Sequence, residues 1–132
     1  MKAERQLAAG EVVDLLAILR ASTDQGAVWS HAGDDLNANL VRLEPGESVG
    51  GHVNGDVDVL LVGILGDGTV EIDGRWLRVE AGRLLVIPKG TARAIEAGEA
   101  GFAYLTCHRR RAGLWPENRA RPMAGGRPHP AA

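Results

Sequence analysis

Between Gly46 and Gly66 three polar side chains, His52, Asn54 and Asp58, stand among glycines and apolar residues in the run GESVGGHVNGDVDVLLVGILG. In an extended chain successive side chains alternate faces, so His52 and Asn54 share one, and a kink at Gly55-Asp56 lets Asp58 rejoin them. An imidazole beside a carboxylate can act as a general base near neutral pH, with the carboxylate fixing the ring tautomer. His52 and Asp58 are therefore the candidate catalytic residues. The other reading of His52 is a core histidine satisfied by hydrogen bonds.

Further along the chain, Arg93 carries a planar guanidinium that can hold a carboxylate or phosphate through two parallel hydrogen bonds, or can simply neutralise Asp58. Phe102, Tyr104, Thr106 and His108 fall on one face of a strand, so Tyr104 and His108 join the ligand-binding set if that face points inward. Period two does not say which face that is. Cys107 and His108 are neighbours in the same strand, point to opposite faces and so do not pair as nucleophile and base. Trp29 and Trp76 either line the mouth of a pocket or pack beneath an N-terminal helix.

These residues need a scaffold, and the chain spells one out. From Glu11 to Arg20 apolar residues recur at helical spacing, with Glu11 and Asp14 early and Arg20 late, which predicts a short amphipathic helix. Strands are expected at 27–30, at 36–43, where apolar and polar residues alternate, and at 59–65, which is almost wholly apolar. Gly66-Asp67-Gly68 reads as a hairpin into 69–72, and Asp73-Gly74 as a two-residue hairpin turn into 75–79. Leu84 to Ile87 is another strand, stopped by Pro88-Lys89-Gly90. Thr91 to Glu96 and Phe102 to His108 supply two more around a turn at Ala97-Gly98-Glu99. Many short strands broken by glycine-rich turns indicate an all-β sandwich or barrel.

The 132 residues, 45% of them hydrophobic, suit one domain with one core. Its expected parts are an N-terminal helical segment over 1–26, a barrel over 27–108 and a basic, Pro/Gly-rich tail over 109–132. The tail is read either as an arm for an acidic partner or as a solvated extension held by Leu114 and Trp115. A formal net charge of −2, from 17 acidic and 15 basic side chains, argues against a dedicated nucleic-acid or membrane-surface protein. A lone cysteine forms no intrachain disulfide, and Glu4, Glu11 and Asp14 interrupt what a signal peptide would keep apolar, so a cytoplasmic location is expected.

The spacing of these residues resembles the cupin superfamily, small double-stranded β-helix or jelly-roll barrels. The first cupin motif reads glycine, five residues, His, one residue, His, three or four residues, Glu, six residues, glycine. Gly46, His52, Asn54, Asp58 and Gly66 follow it. The second reads glycine, five residues, Pro, one residue, glycine, two residues, His, three residues, Asn, and Gly82, Pro88, Gly90, Arg93 and Ala97 fall in its places. The match covers 36–108.

The resemblance implies a jelly-roll barrel with a short N-terminal helix, a ligand site inside it and a homodimer. It also implies that His52, Asn54, Asp58 and Arg93 stand where relatives hold a divalent metal. Only His52 keeps the family residue. Arginine cannot ligate, because its guanidinium stays protonated. At about 4 Å from a dication it would be repelled by several kcal/mol even at an effective dielectric constant near 20. The expectation is thus an Asp58–Arg93 ion pair or a shared anion, no resident cofactor, and a small-molecule ligand that can be anionic. The rival is a metal-dependent dioxygenase or isomerase using His52, Asp58 and a third ligand such as His31 or His108. A third reading is a non-catalytic dimerisation or regulatory module.

Overall fold

The computed structural model describes residues 3–53 and 56–110, with side chains over 6–50 and 56–110. The elements are β1 (Ala3–Arg5), α1 (Leu15–Ala21), β2 (Gly26–Ala32), β3 (Leu36–Leu43), β4 (Ser48–Val53), β5 (Val59–Ile72), β6 (Arg75–Glu80), β7 (Leu84–Ile87) and β8 (Ala92–Arg109). All strand pairs are antiparallel except β1 with β2.

Two long strands organise the rest. β5 and β8 pair twice, Leu60–Gly66 with Phe102–Cys107 and Gly68–Ile72 with Arg93–Ala97. One half of this ribbon is widened by β2 and β3 on one side and β7 on the other; the second half takes β4 and β6. The apolar residues Leu43, Leu61, Ile87 and Phe102 from the first half meet Val70, Val79, Ile95 and Ala97 from the second in one buried cluster. The two halves therefore face each other across a filled interior, the arrangement of a jelly-roll barrel.

The fold-back happens at glycines. Gly66 has φ +70°, and a Cβ there would lie 2.1 Å from the carbonyl oxygen of Gly101, itself at φ +84°. No other residue lets the two bending backbones come so close. The expected hairpin at Gly66-Asp67-Gly68 and the expected turn at Ala97-Gly98-Glu99 are thus bends within continuous strands. Each segment keeps its partner on both sides of the corner, so the ladder never opens into a turn. Asp73-Gly74 is the expected two-residue turn: both residues have positive φ, 51° and 87°.

A second apolar cluster lies on the outer face of the β3 half, where Leu19 of α1 packs with Trp29, Ala38, Leu40 and Ala103. Trp29 is a packing residue beneath the helix, and Trp76 is exposed. The helix is shorter than the expected 11–20 because Asp14 caps it, its Oδ1 accepting from Ala17 N at 3.0 Å, which leaves Val12 in solvent. Its far end is held by the Arg42 guanidinium, which donates to the carbonyls of Leu19 and Ser22. No described helix is long and apolar enough to cross a membrane. Leu114, Trp115 and the tail beyond Arg110 lie outside the described residues.

The corner makes a direct prediction. Gly66→Ala meets both a positive φ and a backbone oxygen, and is expected to cost about 3 kcal/mol or more. Gly74→Ala has a positive φ but open space around it, and is expected to cost about 1 kcal/mol. Denaturant melts of the two variants read the difference, and equal losses would show that the close approach at the corner is unimportant.

Candidate functional site

The interior face of β8 can be followed by parity from end to end. Ile95 and Ala97 in its first half are buried in the barrel cluster, so Arg93 points the same way, and its Nη1 is buried. In the second half Phe102 and Tyr104 belong to that cluster, whereas Ala103, Leu105 and Cys107 pack in the outer one. The face left open by the sequence is settled: Tyr104, Thr106 and His108 point inward and Cys107 outward. β8 folds back between these stretches, so Arg93 meets Tyr104 across the barrel.

Electrostatics register that meeting. Tyr104 is 4% exposed, and burial pushes its phenol up to about 12, while the Arg93 charge pulls it back and the Glu47 carboxylate pushes it further. The Tyr104 ring also packs on Phe102 with centroids 5.1 Å apart. Glu47 is held in place by accepting from Glu44 N at 2.8 Å through Oε1. Sequence reasoning missed Glu47; its signal is weak, a polar residue two positions before the inward Val49.

Asp58 departs from expectation. It is exposed, between Val57 and Val59, which are 1% and 2% exposed and lie in the barrel cluster. Its Oδ1 accepts from Lys89 N at 2.9 Å, tying the start of β5 to the Pro88–Gly90 turn. Among the described residues Arg78 pairs with Asp67 and Glu80, and the expected Asp58–Arg93 pair does not form. The physical reason is register: one residue of slip turns a side chain to the other face of a sheet. Taking the four-residue spacing of the cupin motif puts Val59 in the acidic position, with six residues to Gly66.

Of the remaining candidates, His52 pairs in backbone register with Arg93 across β4 and β8. Asn54 and the His52 side chain lie outside the described residues. His108 is buried, its Nδ1 2.8 Å from Arg109 O. His31 turns to the outer face and accepts from Leu7 N through Nδ1 at 2.9 Å, away from the interior. Polar residues the sequence reading passed over line the same wall as Tyr104: in register with Thr106 and His108 stand Asn39 and Asn37 of β3, and Ser30 of β2 donates to Asn39 Oδ1 at 2.7 Å. A groove of about 230 Å³ lies at the corner end, lined by Arg42, Glu44, Pro45, Leu65 and Gly101.

The architecture is similar to that of solved structures. A cupin superfamily protein from Desulfitobacterium hafniense is 22% identical and superposes with a TM-score of 0.55, over 63% of this chain and 72% of that one. The cupin domain of Cnp3 from Schizosaccharomyces pombe is 16% identical with a TM-score of 0.58, over 71% and 65%. The chain has the cupin fold. KdgF from Halomonas sp. is similar as well, at 24% identity and a TM-score of 0.59, over 65% of this chain and 80% of that one. No protein-family model and no curated protein matches the sequence.

The cupin motifs that the sequence resembles imply a divalent metal, and the donor set present here can be tested against it. Of the four family positions, Val59 offers no donor and Arg93 brings a fixed positive charge, so these two positions do not fit a cation. Among the described residues no three His, Cys, Asp or Glu side chains are grouped to hold a metal ion.

Because Tyr104 is the only tyrosine of the sequence, its phenolate absorbance reads this one group. The folded chain favours the neutral phenol, so its stabilising effect is complete below pH 10 and is lost as pH rises from about 10 toward about 12, on the order of 2–3 kcal/mol in all. Spectrophotometric titration is expected to give a midpoint near 12 that moves down in Glu47→Gln. A midpoint near 10 in the folded protein would show that Tyr104 is not enclosed.

Proposed function

We propose that this cupin binds a small organic anion in its barrel without a resident metal, with Arg93 as the anchor for a carboxylate or phosphate. The observation that carries the reading is Arg93 itself: a permanent cation on the interior face, with a buried Nη1, in the position that contributes a metal ligand in cupin relatives. A guanidinium offers an anion two parallel, charge-assisted hydrogen bonds, and the surrounding apolar cluster of Val59, Ile87 and Ile95 lowers the local dielectric and strengthens them. Tyr104, kept protonated by burial, adds a neutral hydroxyl donor nearby. His52, opposite Arg93 in strand register, is the group proposed to give the ligand a hydrogen bond or to move a proton on it.

Asp58 has no part in this chemistry; its carboxylate serves the turn at Lys89. His52 acting as a base would therefore work without that carboxylate beside it.

Two measurements test the proposal. Chelator-treated protein titrated calorimetrically with hexanoate, gluconate and glucose 6-phosphate is expected to bind at least one of them. Arg93→Gln should weaken that binding by about 10- to 100-fold, the loss of a charge-assisted bond, and Arg93→Lys should weaken it less. Protein exposed to zinc, nickel, manganese or iron and then desalted should retain far less than about one metal per chain. Binding that appears only after metal loading, or is unchanged in Arg93→Gln, would contradict the proposal.

A further inference from the structure

The wall facing Arg93 is polar in a way that the anion reading does not use. β8 bends at Gly98–Gly101, and its second half carries Tyr104, which feels the Arg93 charge, followed on the same face by Thr106 and His108. Beside Thr106 and His108 run Asn39 and Asn37, on the strand face whose continuation, Val41 and Leu43, packs in the barrel cluster.

These side chains differ in how their hydrogen-bonding capacity is used. Asn39 Oδ1 is taken by the Ser30 hydroxyl. Asn37 Oδ1 is buried and has no hydrogen-bond partner among the described residues. A buried carbonyl oxygen left in that state costs stability unless something donates to it. The contact of His108 Nδ1 with Arg109 O places the ring proton on Nδ1 in the neutral imidazole, which makes Nε2 an acceptor. Asn37 and His108 are register partners, so two acceptors sit side by side on the inner wall.

We propose that the ligand of this barrel is a polyhydroxylated organic anion, held at its charged end by Arg93 and at a hydroxyl by the Asn37 carboxamide on the opposing sheet. The proposal rests on the anion reading above and adds the chemistry of the ligand's other end. A donor is needed at Asn37, and an ammonium would be repelled by Arg93 across the same interior, so a hydroxyl is the donor that fits both. A hydroxyl also donates and accepts, and so matches the amide in either orientation. Asn37 is in this account a specificity-determining residue.

Gluconate and hexanoate test it, being six-carbon carboxylates that differ in their hydroxyls. Calorimetry on the chelator-treated full chain should give gluconate an affinity about tenfold or more above that of hexanoate. Asn37→Leu should remove that preference by weakening gluconate binding, and Asn37→Ala, a smaller change that guards against misfolding by the leucine, should do the same. Far-ultraviolet circular dichroism melts confirm that each variant is folded. Equal affinities in the unsubstituted protein would overturn the polyhydroxyl proposal and leave the anion reading standing. A preference that survives in both variants would overturn the role of Asn37. If none of gluconate, hexanoate and glucose 6-phosphate binds, the anion reading fails and this proposal falls with it; if glucose 6-phosphate alone binds, an affinity unchanged in Asn37→Ala overturns the role of Asn37.

Discussion

The close approach of two bending backbones at Gly66 and Gly101 is the constraint on which the molecule depends. A side chain at Gly66 would collide with a carbonyl oxygen at 2.1 Å, so the chain can double back there only because that side chain is missing. Once it does, each of the two longest strands contributes to both walls of the barrel, and residues far apart in sequence become opposite neighbours. Arg93 meets Tyr104 for this reason. The apolar cluster that packs the interior, from Leu43 to Ile95, then fixes the separation of the walls.

Much of this was legible in the residues. Alternation over 36–43, the strand-forming run at 84–87 and the Asp73-Gly74 turn predict elements that the structure contains with little change. The two motif spacings point to the cupin barrel. What could not be read was continuity and facing. A glycine cluster between two strand-forming runs looks the same whether it makes a hairpin or a bend, since what decides is a cross-strand partner that continues past it. The three-residue β1 adds a parallel strand through backbone pairing that local pattern does not announce. In β3 the alternation is plain, yet its apolar residues Ala38 and Leu40 face outward, toward α1, and its asparagines face in. An outer layer of helix inverts the usual link between apolar and interior, and a strand read by itself does not reveal that layer.

The site followed the same rule. Asp58 was placed by counting residues through Gly55-Asp56, where one step more or less changes the face, and the structure puts Val59 inward instead. The facing of Tyr104, which alternation left open, and that of Arg93 follow once the core residues on β8 are known, because parity along that strand is unbroken on each side of the bend. The donor chemistry that results is a valine and an arginine at two ligand positions of the cupin motifs. The buried phenol of Tyr104 and the asparagines of β3 extend that polarity along the opposing wall.

The central claim is that the Arg93 guanidinium takes the place of a cation inside the barrel. Nitrogen-15 NMR of the arginine side chains during a gluconate titration of metal-free protein tests it most directly. The account predicts that one guanidinium resonance, absent in Arg93→Gln, shifts in a saturable way as ligand is added. A titration that leaves that resonance unmoved, while a divalent ion saturably perturbs the barrel, would contradict it.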